Sequence, residues 1–231
     1  MKTYLPVHVA IIPDGNRRWA KKNNLPVFIG HQKGYERVVE IIRKAREMKI
    51  KILTIWGFST ENWLRNKQEV DYLMKIFETM IENNLKEAIK EKCRIIHLGR
   101  KDRFNERLRK KIIDAEETTK NFNKYYLCIA LDYGGKDEIV RAIKKIKDSK
   151  FNISDLNETN FNQFLDSREL PQPEPDLIIR TSGELRTSGF MLWQSAYSEF
   201  VFIDKLFPDF TVADFEKSIR DYSLRERRFG K

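Results

Sequence analysis

The sequence predicts an α/β fold, a single domain with a central, mainly parallel six-stranded sheet flanked by helices. Short apolar runs rich in β-branched residues recur six times along the chain. Long segments of helical period separate nearly all of them, the alternation that builds a parallel sheet. The runs are continuously apolar rather than alternating, so helices are expected on both faces.

The first strand is read at 7–12 and ends in Pro13-Asp14-Gly15-Asn16, where Gly15-Asn16 can start the next helix. A helix follows at 34–48 and a strand at 52–58, the latter running into the polar segment FSTENWLR. The helix at 67–91 carries Val70, Leu73, Phe77, Met80, Ile81, Leu85 and Ala88 at the spacing of one apolar face, which Met74, Ile76 and Ile89 broaden. A core helix explains that face; a wall of a hydrophobic tunnel for a hydrocarbon explains its width as well. A strand at 94–98, a helix at 103–121, a strand at 126–131 and a helix at 135–147 complete the first half of the pattern. The polar stretch 147–175 holds Pro171, Pro173 and Pro175 and one short helix at 158–165, and reads as a surface connection. Strands at 177–179 and 199–203 and a helix at 213–227 close the chain. In such a sheet ligands collect at the carboxyl ends of the strands, where DGNRR, FSTENW and RTSGE all fall.

The 231 residues suit one α/β domain, and no shift in composition marks a boundary. Forty-four basic against 34 acidic residues give a net charge of +10, which favours anionic partners. The arginines are gathered into phosphate-sized motifs and not into one basic block, which argues against nucleic acid. Cys93 and Cys128 lie in the apolar runs CRIIHL and YYLCIALDY, without metal-ligand spacing, and read as buried thiols. No apolar stretch approaches the ~20 residues that span a bilayer, and MKTYLPVHV lacks signal-peptide anatomy. A cytoplasmic protein is expected.

The chemistry concentrates in PDLIIRTSGELRTSGFMLWQSAYSEFVF. Arg180, Arg186, Thr181, Ser182 and Ser188 surround Gly183 within nine residues, directly after an apolar run. Arginine forks match phosphate oxygens, hydroxyls add neutral donors, and glycine lets backbone approach a ligand. A second anion site is read at Asp14 to Arg18, where helix-start N–H groups can meet phosphate. A carboxylate beside Arg17 and Arg18 suits such a site if it holds a divalent metal, Mg²⁺ above all; an N-terminal cap explains Asp14 too. Glu199 stands in the mostly apolar WQSAYSEFVFI, where a buried ion pair or a metal would accommodate it. His31 in IGHQKGY reads as a packing residue or a ligand contact, and Ser59, Asn62, Trp63 and Arg65 as a helix start or a site segment. Two phosphate-type sites suggest two phosphorylated substrates.

In order along the chain, HVAIIPDGNRRWA, GHQKGYERV, FSTENWLR, ALDYGGKDEIVRAI, PDLIIRTSGELRTSGFMLWQSAYSEFVF with FPDF, and RERRFG closely resemble the blocks of the cis-prenyltransferase family, the undecaprenyl diphosphate synthase-like enzymes. The resemblance runs from His8 to Gly230. It implies a Mg²⁺-dependent condensation of an allylic diphosphate with isopentenyl diphosphate, adding five-carbon units in cis geometry without an Asp-Asp-x-x-Asp motif. It further implies that Asp14 binds Mg²⁺ and assists departure of the allylic diphosphate, held by Gly15, Asn16, Arg17 and Arg18 with His31 nearby. Arg180, Arg186 and Ser188 would grip isopentenyl diphosphate, and Ser59 and Asn62 would stand near the proton lost from it. Trp63 and Phe58 would wall the reactive cation, and Arg65 belongs to the same block. Glu199 would support the metal across a homodimer interface, and Arg228 and Gly230 would reach into the partner's site.

The sequence departs from the family pattern at three places. Many bacterial members read MDGNGRW where this chain has Pro13 and Arg17, many carry an arginine where Val27 stands, and an Asn is common where Gly189 stands. Arg17 would then replace the missing charge. A low-activity accessory subunit of the same fold and a short-chain Z-prenyl diphosphate synthase are the alternatives; retention of Asp14, Asn16, Arg180, Arg186 and Glu199 speaks against the first. The basic surface and a long-chain product would suit peripheral association with an anionic membrane.

Overall fold

The computed structural model describes residues 4–225. Six strands form one sheet: β1 (His8–Ile12), β2 (Ile52–Ser59), β3 (Cys93–Leu98), β4 (Tyr125–Tyr133), β5 (Leu177–Arg180) and β6 (Glu199–Phe202). Their order is β3-β4-β2-β1-β5-β6, and every pairing is parallel. The strands read from the sequence are all present, with ends moved by a residue or two. From β1 the chain first builds outward through β2, then returns to add β5 on β1's other side. The crevice between the carboxyl ends of β1 and β5 is therefore the topological switch point, the place where such sheets bind ligands.

Successive residues of each strand feed opposite faces. Val9, Ile11, Leu53 and Ile55 belong to one core, which helices α2 (Val27–Glu47), α3 (Lys67–Lys90), α4 (Glu106–Thr119) and α7 (Val212–Ser223) help to fill. Ala10, Ile12, Ile52 and Cys128 belong to the other, which the segment carrying Phe190 and Met191 covers. Cys93 and Cys128 are both buried and unpaired, as expected. Helices α5 (Gly135–Asp148) and α6 (Glu158–Phe161) share a smaller cluster with Trp193.

The outer edge of β3 is blunted by side chains. The N–H groups of Ile95, His97 and Gly99 donate to Thr119 Oγ1 (3.0 Å), Glu116 Oε1 (2.9 Å) and Asp166 Oδ2 (3.0 Å). With those donors taken, this edge offers little to a further strand.

The helix start read at Gly15-Asn16 is that of a short helix, α1 (Asn16–Lys22), capped by Gly15. The difference from the sequence reading lies in α2, which begins at Val27 instead of 34. Gly30 and Gly34 explain the early start: a Cβ on Gly30 would come within 2.2 Å of the Asn16 carbonyl oxygen, and one on Gly34 within 2.6 Å of Asn16 Oδ1. The two glycines weaken helical propensity but let α2 lie directly against α1.

Candidate active site

Asp14 sits just past β1, and its backbone is clamped to β5's end. Its N–H donates to Thr181 Oγ1 (3.0 Å), and the same hydroxyl donates back to the Asp14 carbonyl (2.7 Å). The Phe207 N–H, from the FPDF segment, gives that carbonyl its second bond (3.0 Å). Gly15 then turns the chain at φ 112°, a left-handed conformation costly for other residues, and a Cβ there would stand 2.9 Å from Leu206 Cδ2. The Asp14 carboxylate is left facing two arginines.

Arg180, 4% exposed, donates from Nη2 to Asp14 Oδ2 (2.9 Å) and from Nη1 to Ser188 Oγ (2.8 Å) and the Arg186 carbonyl. Arg18 lies 3.1 Å from Asp14 Oδ1 and bonds Ser182 Oγ (2.6 Å) and Glu184 (2.8 Å). Burial works against the charge on Asp14, but the hydrogen bond from Arg180 and the nearby Arg18 together hold its carboxyl below the usual range. The loop between β5 and β6 is shaped by two consecutive left-handed pairs, Ser182-Gly183 and Ser188-Gly189. Gly189 has open space where a Cβ would be, and its carbonyl accepts from the Gly135 N–H (2.8 Å). Asn tolerates the left-handed region, so glycine in its place keeps the same backbone path.

Across the crevice a second cluster forms around Glu69, in the first turn of α3. Its Oε1 meets His31 Nε2 (3.0 Å) and Arg65 Nη1 (3.1 Å), and its Oε2 lies 3.7 Å from Arg17 Nε. Burial lowers the His31 pKa against the opposing pull of Glu69. Glu69 does not stand out in the sequence, because an acid in a helix's first turn is ordinary. The i, i+4 spacing from Arg65 was its one legible signal.

Both clusters open on one cavity of about 890 Å³. Asp14 to Arg18, Arg65, Arg180 and Ser188 form its polar end, and Ser59 and Asn62 reach its wall. Val38, Ile55, Leu73, Ile76, Phe77, Met80 and Ile129 line the remainder. The broad face of α3 packs in the core from Val70 to Met80, and within it Leu73, Ile76, Phe77 and Met80 also line the cavity while Val70 and Met74 do not.

Other residues singled out in the sequence lie elsewhere. Trp63 stands behind the cavity wall, edge-on to Phe58 at 5.2 Å with Arg103 over its ring, so Phe58 is the lining residue and Trp63 its support. Arg186 is exposed and paired with Glu184, while its carbonyl, not its guanidinium, joins the Arg180 network. Glu199 is only partly buried on the edge strand β6 and pairs with Arg225 at 2.7 Å. It stands beside Leu177, three residues before the rim position shared by Ile12 and Arg180, about 10 Å back along the strand. One chain therefore does not bring Glu199 to Asp14. Arg228 and Gly230 lie outside the described residues.

The donor set has a definite bearing on metals. Among the described residues, no group of three His, Cys, Asp or Glu side chains could hold an ion. Mg²⁺ habitually takes one or two carboxylates together with phosphate oxygens, and Asp14 at the polar end fits that habit. It does not fit an ion held by protein alone.

Guanidinium forks at one end of an apolar cavity define a site for amphiphiles with anionic heads. The comparisons agree. The model of the family described as "Putative undecaprenyl diphosphate synthase" matches residues 12–230. An isoprenyl transferase of Thermotoga maritima is 50% identical over 98% of this chain and 97% of its own, and one of Aquifex aeolicus 45% identical over 100% and 98%. Lavandulyl diphosphate synthase from Lavandula x intermedia, solved in complex with dimethylallyl diphosphate, superposes with a TM-score of 0.94 at 39% identity, covering 98% of this chain and 99% of that one. A protein described as a probable undecaprenyl diphosphate synthase from Campylobacter jejuni gives 0.81 at 33%, covering both chains fully. This chain belongs to the undecaprenyl diphosphate synthase family, the cis-prenyltransferases.

Proposed function

We propose that the protein condenses isopentenyl diphosphate with an allylic diphosphate in cis geometry, giving a Z-polyprenyl diphosphate. The observation that carries this reading is the single cavity whose polar end gathers Asp14, Arg18, Arg180 and Ser188 and whose other walls are apolar. The allylic diphosphate lies between the α1 N-terminus with Gly15 and Asn16 and the cluster of Arg17, His31 and Arg65. Asn16 Oδ1 is buried without a protein partner, as befits a group that meets a ligand. Arg180 and Ser188 hold isopentenyl diphosphate, and Arg186 turns from Glu184 to join them.

Carbon–oxygen cleavage leaves growing charge on the departing diphosphate. Fixed cations and N–H donors aimed at it lower the barrier, a term often worth ~3 kcal/mol per donor. Asp14 would hold Mg²⁺ at the diphosphate, where the ion supplies further neutralisation of that charge. Phe58 and its aliphatic neighbours keep water from the allylic cation. The proton lost from isopentenyl diphosphate leaves near Ser59 and Asn62, whose own contact, Ser59 N–H to Asn62 Oδ1 at 3.1 Å, fixes the turn that carries them. A homodimer completes the site, since Glu199 can reach a metal only from a partner's β6.

Purified protein incubated with labelled isopentenyl diphosphate, Mg²⁺ and allylic primers of several lengths should yield labelled polyprenyl diphosphates, and Asp14→Ala should yield almost none. No incorporation by the native chain with any primer would refute the reading. The likeness to lavandulyl diphosphate synthase favours a second possibility, an enzyme that stops at a short product. Chromatography of the same reaction separates the two.

A further inference from the structure

Residues 21–28, Lys-Lys-Asn-Asn-Leu-Pro-Val-Phe, form an unbroken run of eight exposed residues from the last turn of α1 into the first turn of α2. Leu25, Val27 and Phe28 are 40%, 36% and 47% exposed. Leu25, Pro26 and Val27 belong to the cavity's wall, so this apolar run is a lip at its mouth. Phe28 does not line the cavity and rests edge-on against Tyr72 at 5.6 Å. Lys21 and Lys22 stand in the last turn of α1 beside it, and neither has an ion-pair partner among the described residues. The nearby acids on α3 are already neutralised, Glu69 by Arg65 and Arg17 and Asp71 by Lys67. The lip therefore presents apolar side chains flanked by uncompensated positive charge.

We propose that residues 21–28 dock the cavity mouth on an anionic lipid surface. Exposed Leu, Val and Phe enter the headgroup boundary while the lysines meet lipid phosphates, the division found on interfacial segments. A protein seated on the lip would close the cavity, whereas bilayer hydrocarbon continues its apolar wall. The consequence for product release, a prenyl chain passing from cavity to membrane without crossing water, rests on the function proposed above. The docking itself does not.

The test is therefore made without substrate, by co-sedimentation with vesicles of phosphatidylcholine alone and of an equimolar mixture with phosphatidylglycerol. The native chain should bind the mixed vesicles, and added salt should weaken that binding. Lys22→Ser should lower the partition about fivefold and Phe28→Ser about tenfold. Neither residue lines the cavity, so turnover in detergent should stay at the native level for both. That assay reports the proposed activity separately: a chain inactive in detergent that still binds vesicles through these residues would sink the activity and leave the docking standing. Docking is overturned if the native chain ignores the mixed vesicles, binds neutral ones equally well, or binds as before after both substitutions. It is also overturned if Phe28→Ser halves the particle mass in light scattering, which would make the lip a subunit contact.

Discussion

Arg17 is the residue where this chain's own solution can be tested. It stands 3.7 Å from Glu69 and lines the same cavity as Val27, the position at which the family resemblance leads one to expect an arginine. Arg17→Ala should raise the apparent KM for the allylic substrate well above any change for isopentenyl diphosphate, by about tenfold if one charge-assisted contact of about 1.5 kcal/mol is lost. Steady-state kinetics with each substrate varied in turn would show it, and an unchanged ratio would sink the compensation. Gly15 supports a different claim, about backbone. Its φ of 112° and the nearness of Leu206 leave no room for a side chain, so Gly15→Ala should cost about 1–3 kcal/mol in urea denaturation and displace Asp14 as well. Stability equal to the native chain's would show that this turn is not constrained as described.

At the scale of elements, α3 was legible and its division was not. The spacing of Leu73, Phe77 and Met80 gives a helix and an apolar face, but one-dimensional periodicity cannot separate a side chain packed in the core from one lining empty space. The same limit hid the first turns of α2: Gly30 and Gly34 look like helix breakers until Asn16 is known to press against them. Asp14, Arg18, Arg180 and Ser188 were readable because they belong to the segments that end β1 and β5 or follow them, and parallel topology collects strand ends on one rim. Glu69 was lost for the opposite reason, since its partners His31 and Arg17 come from distant parts of the chain. Because Met80 lines the cavity from the fourth turn of α3, Met80→Trp should fill part of it and shorten the product mixture by one or more five-carbon units while leaving the first condensation intact. Chromatography of products from the two proteins under matched conditions decides it; an unchanged distribution would place the growing chain elsewhere.

The whole molecule should be sensitive to mild acid through two buried histidines that tie strands together. His8 on β1 meets Thr54 Oγ1 of β2 (2.7 Å) and the Gln172 carbonyl (3.0 Å), and burial pushes its pKa from 6.5 to about 4. His97 on β3 donates from Nε2 to the Leu131 carbonyl of β4 (3.0 Å), and burial takes its pKa to about 3. Both are held neutral when folded, whereas the unfolded chain binds a proton at each below pH 6.5. The stability they contribute is thus fully present above pH 6.5 and is lost as pH falls toward 4 for His8 and 3 for His97, at about 1.4 kcal/mol per pH unit for each group. Near pH 5 the loss should reach about 2 kcal/mol per histidine relative to neutral pH. Burial works against the Asp14 charge, but Arg180 and Arg18 hold its carboxyl below the usual carboxylate range, so the charge at the site survives this window. Activity lost there should accordingly follow unfolding and return on neutralisation. Urea denaturation at neutral pH and near pH 5 measures the slope directly. His97→Phe should lower that slope by up to about 1.4 kcal/mol per pH unit, whatever the substitution costs at neutral pH, and a slope that it leaves untouched would show that this histidine does not carry the acid response.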